Sequence, residues 1–438
     1  MSGGRGTTAT RRAGPSRAGL ALMLSAALPI AGATSVAAAE APIAIAVGGY
    51  FLGYAAGVSQ NDAPGQPGFG LRDYAIFRKS RLLFDGVSRL DDGVRIGVRI
   101  QVRGEANAAD QIDQSYLIVG SPYGELRLGK TRGAAYDMHY PAPYPQDSAD
   151  SGWSLNQPAA DFNGMSPPPS SLVARGSSSY VSAFKNEKIV YYAPRIAGFQ
   201  LGVSFAPDGC VIRNPASTYD GTSLNQTNVG NRTCGGTIAT PLTRDTIAGQ
   251  QKNLIDGGLN YVAEFGPVKS AFSLGATMAT LQIQPGFDNA QYRDHRAWNA
   301  GVSLGYAGFV LGAAYAFDNL GTARAALIPP ATATYPGVVG KDSNNWNIGL
   351  AYVRDRWRAG IQYAYADAAA VDSAGRNRGR DRYQGIGLGG AYRLGPGISL
   401  TAGAQWQQWT TWQATSSPTY ASAINQGWVY QLGTVLKF

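Results

Sequence analysis

The stretch GVRIGVRIQVRG, residues 93–104, restricts the possible folds more than any other part of the chain. Val94, Ile96, Val98, Ile100 and Val102 fall on one side of an extended backbone, and Arg95, Gly97, Arg99, Gln101 and Arg103 fall on the other. Side chains along a strand alternate between faces, so this is a β-strand with one apolar and one cationic face. Three arginines on one face cannot point into a dry core, because a buried, unpaired charge is too costly. The arginine face therefore meets water, and the apolar face meets something else.

The same division recurs along the chain. WNIGLAYV places Trp346, Ile348, Leu350 and Tyr352 together, WRAGIQYAY does so for Trp357, Ala359, Ile361, Tyr363 and Tyr365, and the terminal GWVYQLGTVLKF for Trp428, Tyr430, Leu432, Thr434, Leu436 and Phe438. Gly, Gln, Asn and Arg fill the opposite faces. Sixteen strands are predicted, near 43–57, 73–88, 93–104, 110–121, 123–131, 186–194, 198–207, 251–265, 267–281, 293–306, 308–318, 343–353, 357–367, 381–393, 397–411 and 425–438. Their connections alternate in length. LDDG, SPYG, PRIAG, FGP, YAG, RDRW and LGPG are tight turns, flanked by the much longer segments 58–72, 132–185, 208–250, 319–342, 368–380 and 412–424.

A soluble sandwich or propeller has no reason to keep that rhythm, and would turn its apolar faces inward. In lipid every backbone N–H and C=O must be satisfied within the protein, so a β-protein can span only as a closed barrel without edges. A meander with short turns at one end and long loops at the other is the outer-membrane form of that solution. The fold class expected is therefore all-β, a transmembrane antiparallel barrel of sixteen strands with short periplasmic turns and long extracellular loops. Closure also predicts that the last strand pairs with the first, with Phe438 at the membrane boundary acting as an assembly signal.

The interior holds no run of about 18 apolar residues, so no transmembrane helix is expected. The one long apolar run follows Arg11, Arg12 and Arg17 and ends in small residues before Glu40. That order predicts a secretory signal peptide over 1–39, with Ala39 the last residue removed, and a single barrel domain over 40–438. Ala, Gly and Pro after Arg11-Arg12 favour the general secretory route over the twin-arginine one. Removal of 1–39 leaves 33 basic against 28 acidic residues, a net +5. That is too mild for a nucleic-acid partner, which export also excludes. Cys210 and Cys234, the two cysteines of an exported chain, are expected to form a disulfide restraining the fourth long loop. With His139 and His295 far away in sequence, the thiols offer no metal-ligand spacing, and neither metal nor cofactor is expected. No pairing of these histidines with a nucleophile is persuasive, so the chain is read as no enzyme, with an outer-membrane β-barrel hydrolase as the weaker alternative.

SRLLFDGVSRLDDGVRIGVRI (80–100), DQIDQSYLIVGSPYGELRLGKTRGAAYDM (110–138) and the final strand ending in Phe438 resemble the general porins of Gram-negative bacteria, most closely those of alphaproteobacteria. The resemblance covers essentially the whole mature chain. It implies an outer-membrane channel, assembled as a homotrimer by the insertion machinery of that membrane, through which small hydrophilic solutes and ions diffuse. It also implies that the third loop, here 132–185, folds into the lumen and constricts it. YPAPYP and SPPPSSL depart from the family in that loop, and the usual Tyr two places before the terminal Phe is Leu436.

By alternation the inward positions beside that loop are Lys79, Arg81, Arg95, Arg99 and Arg103. The loop offers Asp137, Asp147, Asp150 and Asp161 to face them across the pore. Opposed charges across a narrow aqueous gap select polar solutes, and five basic positions against four acids suggest weak anion preference. A solute-specific channel for a sugar or an anion is the alternative, in which Tyr136, Tyr140, Tyr144 and Trp153 would form a stacking slide. The preferred reading is that these aromatics pack the loop against the wall.

Overall fold

The structure, a computed structural model, describes residues 43–66, 68–90, 93–104, 111–146, 185–208, 251–281, 294–319, 343–371, 377–410 and 424–438. These form sixteen strands: β1 (Ala44–Gln60), β2 (Tyr74–Arg89), β3 (Arg95–Arg103), β4 (Ile112–Ser121), β5 (Gly124–Thr131), β6 (Asn186–Tyr192), β7 (Phe199–Asp208), β8 (Gln251–Phe265), β9 (Val268–Leu281), β10 (His295–Tyr306), β11 (Phe309–Asp318), β12 (Ser343–Arg354), β13 (Trp357–Val371), β14 (Asn377–Gly395), β15 (Ile398–Thr410) and β16 (Ile424–Lys437). A short helix, α1 (Ala134–Asp137), follows β5. Each strand pairs antiparallel with its neighbours in sequence, and β1 pairs with β16 to close the barrel. The tail completes the seam: the Phe438 N–H donates to the Gly49 carbonyl at 3.1 Å, and the Gly49 N–H donates to the Phe438 carbonyl at 2.9 Å.

The predicted strands match in number and order. The largest difference lies in 368–380, expected as a long loop. There β13 runs on to Val371 and β14 begins at Asn377. Apart from Val371 the added residues are Ala, Asn, Arg and Gly, poor strand formers, so ladder pairing across β13 and β14 overrides local propensity. His295, within the predicted strand 293–306, is the first residue of β10.

The short turns use the backbone conformations that two-residue hairpins require. Between Tyr306 and Phe309, Ala307 and Gly308 both have positive φ, 48° and 87°. That is the twist-matched hairpin geometry, and a Cβ on Gly308 would sit 2.8 Å from the Val353 carbonyl.

The outer surface is apolar, with Ile76, Leu128, Leu201, Leu274, Leu311, Leu350 and Leu432 all well exposed. Aromatic pairs border this band at both ends. Phe199–Tyr261, Phe309–Tyr352 and Trp357–Tyr392 lie near the short turns, with centroids 4.4, 4.6 and 4.6 Å apart. Trp298–Tyr315 and Trp346–Tyr365 lie towards the long connections, at 5.0 and 5.9 Å. Two aromatic girdles around an aliphatic band are what a bilayer and its two interfaces select. The inner face instead carries small and polar residues, among them Ser273, Thr277, Asn299, Asn347, Gln362 and Gln405, all buried.

Candidate functional site

The site is the lumen, and three inner surfaces define it. The first is a track for the start of the long β5–β6 connection. Its segment 133–146 runs along the inside of the barrel from β7 to β14, and one glycine on each of these eight consecutive strands makes room for it. At Gly258 a Cβ would lie 3.0 Å from the Ala134 carbonyl, at Gly312 2.9 Å from Pro143 Cδ, and at Gly360 2.9 Å from Pro145 Cα. Gly202 and Gly275 meet Met138 and Ala135, while Gly301, Gly349 and Gly389 meet Tyr140, Pro143 and Gln146.

Polar side chains beside the track hold the loop backbone. The Ala135 N–H donates to Asp256 Oδ1, Tyr140 N–H to Ser273 Oγ and Ala142 N–H to Asn347 Oδ1, each at 2.9 Å, and Arg358 Nη2 donates to the Tyr144 carbonyl at 2.6 Å. YPAPYP now has a physical reason. Pro141, Pro143 and Pro145 have no N–H to satisfy, and each forces its predecessor into an extended conformation, so the segment lies flat as a strap. Tyr136 is buried, with Arg132 stacked over it at 4.5 Å and His139 at 5.2 Å. Tyr136 thus packs as expected of it. Trp153 lies outside the described residues.

The second surface is ionic and covers β2–β5. Antiparallel register sets Arg81 opposite Arg103, Asp85 opposite Arg99 and Arg89 opposite Arg95. Asp113, fully buried, accepts from Arg81 at 3.1 Å, from Gln101 at 2.9 Å, and from Arg103 and Lys185. Arg99 forks onto Asp85 at 2.6 and 2.9 Å. Nearer the short turns a chain of alternating charge runs from Arg95 to Glu125 at 2.6 Å, from Glu125 to Arg127 at 2.8 Å, and from Arg127 to Asp137 at 2.9 Å. Tyr192 donates to Asp137 at 3.0 Å, and Arg127 stacks over the Tyr192 ring at 4.6 Å.

The third surface is an apolar cluster of Tyr50, Leu52, Tyr54 and Val435, with Phe77 against it, on β16, β1 and β2. Lys79 sits opposite Leu52 on this side.

The comparisons with known proteins fit this geometry. The sequence profile of Gram-negative porins matches residues 23–408. The chain belongs to the Gram-negative porins. An uncharacterized protein of Rickettsia conorii is 21% identical to this porin over 381 residues, covering 77% of this chain and 79% of its own length. One from Rickettsia prowazekii is 21% identical over 379 residues, with the same two shares. Among solved structures, the anion-selective porin from Comamonas acidovorans aligns with a TM-score of 0.53 at 16% identity, over 90% of this chain and all of that one. The trimer form of OmpT, an outer membrane protein of Vibrio cholerae, aligns with a TM-score of 0.50 at 12% identity, over 91% and 100%. At these identities the structures speak for the barrel fold alone.

In this porin Arg81, Arg95, Arg99 and Arg103 share the inner face as alternation predicts, but each pairs with a carboxylate of the wall itself. Asp137, expected to face them from the loop, joins the same wall through Arg127. Asp147, Asp150 and Asp161 lie outside the described residues, as do Cys210, Cys234 and the segment 1–39. Sequence reading missed Asp113, Glu125, Asp85 and Arg127. It also passed over Gly301–Gly305, GVSLG, which has the spacing of a hydrolase nucleophile elbow. That spacing lies wholly within β10, with Ser303 paired across the sheet, so there is no strand-to-helix turn to expose a nucleophile.

Proposed function

We propose that this porin is a water-filled channel of the outer membrane for passive diffusion of small hydrophilic solutes and ions, with a weak preference for anions. The observation that carries the reading is the ionic wall of β2–β5 inside a barrel whose opposite wall is occupied by the strap. In three groups, seven cations (Arg81, Arg103, Lys185, Arg99, Arg89, Arg95 and Arg127) stand with four carboxylates (Asp113, Asp85, Glu125 and Asp137). Charges fixed along an aqueous path favour polar over apolar solutes, and the excess of cations favours anions. The constriction then comprises Lys79, Arg81, Arg95, Arg99, Arg103 and Asp137, with Asp147, Asp150 and Asp161 from the rest of the loop.

Export through a signal peptide, a homotrimeric state, recognition of the Phe438 strand by the insertion machinery and a Cys210–Cys234 disulfide belong to the same reading. No catalytic role is proposed. The test is efflux from proteoliposomes of purified porin. Small sugars and small anions should leave rapidly, with rates that fall with solute size, and sugar efflux should not saturate. Retention of every hydrophilic solute by well-folded porin would refute the reading. Saturating efflux of one solute class alone would replace it by a solute-specific channel.

A further inference from the structure

We propose that the cavity beneath α1 at the short-turn end of the lumen is a binding subsite for small carboxylate- or phosphate-bearing anions, with Arg89 and Arg95 as its ligating pair. The inference deepens the channel reading and rests on it for access of solutes to the lumen. The cavity has a volume of about 620 Å³. Asp137 and Met138 of the strap roof it, the turn residues Gly93, Pro122 and Pro194 floor it, and Arg89, Arg95 and Arg127 line it. That volume falls in the range of small-molecule sites.

Register provides the main argument. Like charges directly opposite one another in an antiparallel pair destabilise it. The β2–β3 ladder contains two such arginine pairs on its inner face, Arg81 opposite Arg103 and Arg89 opposite Arg95. The first pair has the buried Asp113 carboxylate as its countercharge, shared by both guanidiniums. The second pair is different. Its one carboxylate partner among the described residues is Glu125, which gives Oε2 to Arg95 and Oε1 to Arg127. From Asp137 through Arg127 and Glu125 to Arg95 the signs alternate, and Arg89 then adds a second cation in succession. Asp91 and Asp92 of the following turn lie outside the described residues.

The remaining chemistry suits an anion. Two guanidinium forks a strand spacing apart can each take a carboxylate or phosphate in bidentate fashion, which Lys cannot do. Both cavity carboxylates are occupied by arginines, so the groups left to a solute are donors: the Arg89 guanidinium, the N–H groups of Arg95 beyond the one it gives Glu125, and the second N–H of the Asn260 and Gln200 amides, whose first goes to the Met138 and Ala193 carbonyls. Gly120 keeps the place open, since a Cβ there would lie 3.2 Å from Arg95 Nε and Nη2.

The experiment uses refolded porin without residues 1–39, with succinate and inorganic phosphate as probes. Chloride current through single channels is recorded while each probe is titrated from either side, and equilibrium binding in detergent is measured calorimetrically. Block and binding should saturate, block should be stronger from the short-turn side, and Arg89→Gln should raise the half-blocking concentration about tenfold through loss of one charge-assisted fork. Arg354→Gln, at an exposed arginine that ends β12 outside the cavity, should behave as wild type. Should Arg89→Gln fail to fold, Gly120→Val should crowd Arg95 and weaken block without removing a charge. Linear, non-saturating attenuation, or equal block of wild type and Arg89→Gln, would overturn the proposal. A porin without anion preference that still binds succinate through Arg89 would keep the subsite and remove the selectivity reading.

Discussion

Replacing Asp113 by Asn removes the carboxylate around which Arg81, Arg103 and Lys185 gather. At a pH above about 7, where Lys185 is neutral, the cluster then carries two uncompensated cations in place of one. An ion passing at about 6 Å gains or loses about 0.7 kcal/mol from one unit charge at the dielectric constant of water. A Debye length of about 8 Å at physiological salt cuts this to about 0.3 kcal/mol. Because an anion gains what a cation loses, the permeability ratio should shift towards anions about threefold at physiological salt. At about 0.01 M salt, where screening is weak, the shift should approach sevenfold. Asn keeps the shape and can still accept hydrogen bonds from Gln101 and Arg103, so the barrel should fold, as heat-modifiable migration on gels can check. Arg103→Gln, at a half-exposed position, should move the ratio the opposite way. The assay is reversal potential in planar bilayers across a salt gradient, repeated at two ionic strengths. An unchanged ratio in both variants at low salt would place the Asp113 cluster off the conduction path and refute the reasoning.

Other outcomes follow from single contacts. Gly301→Val would drive a side chain into the Tyr140 carbonyl. It should lower stability by about 1–3 kcal/mol in denaturant titrations and give noisier, larger currents as the strap lifts, whereas quiet wild-type currents would count against the track. Lys185 lies in the loop just before β6, and burial pushes its ammonium down to about 7 despite Asp113 beside it. It is therefore cationic below that pH and neutral above it. Anion preference should fall as pH rises through about 7, and Lys185→Gln should abolish that dependence; a preference flat in pH would contradict it. Deleting Phe438 removes the paired backbone contacts with Gly49 and should reduce assembly in cells more than conductance of the protein that does assemble, a comparison of membrane yield with single-channel amplitude.

Period-two patterning made the strands legible because lipid outside and water inside impose opposite chemistry on alternate residues. The inward direction of Arg95, Arg99 and Arg103 follows from that alone. Asp113 did not, and the reason is local. Gln114 and Tyr116 face inward, so strict alternation would send Asp113 to lipid. A register shift between Gln101 and Val102 on β3 breaks the parity and brings both Asp113 and Gln114 inside. Nothing in one strand's sequence announces a bulge. The glycine track was visible as inner-face glycines, but its meaning depends on a strap from a distant part of the chain. The pairing of Arg127 with Asp137 was hidden for the same reason. Asp137, expected across the gap from the arginines, is a neighbour on their wall, and only the path of 133–146 reveals it.

The most direct test of the central claim is the reversal potential of the wild-type porin, purified without residues 1–39 and inserted into a planar bilayer between unequal potassium chloride solutions. Stepwise conductances are expected, with a reversal potential of the sign that marks chloride as the more permeant ion, growing as salt is lowered. Silence from well-folded porin, or a potential of cation-selective sign at every salt concentration, would contradict it.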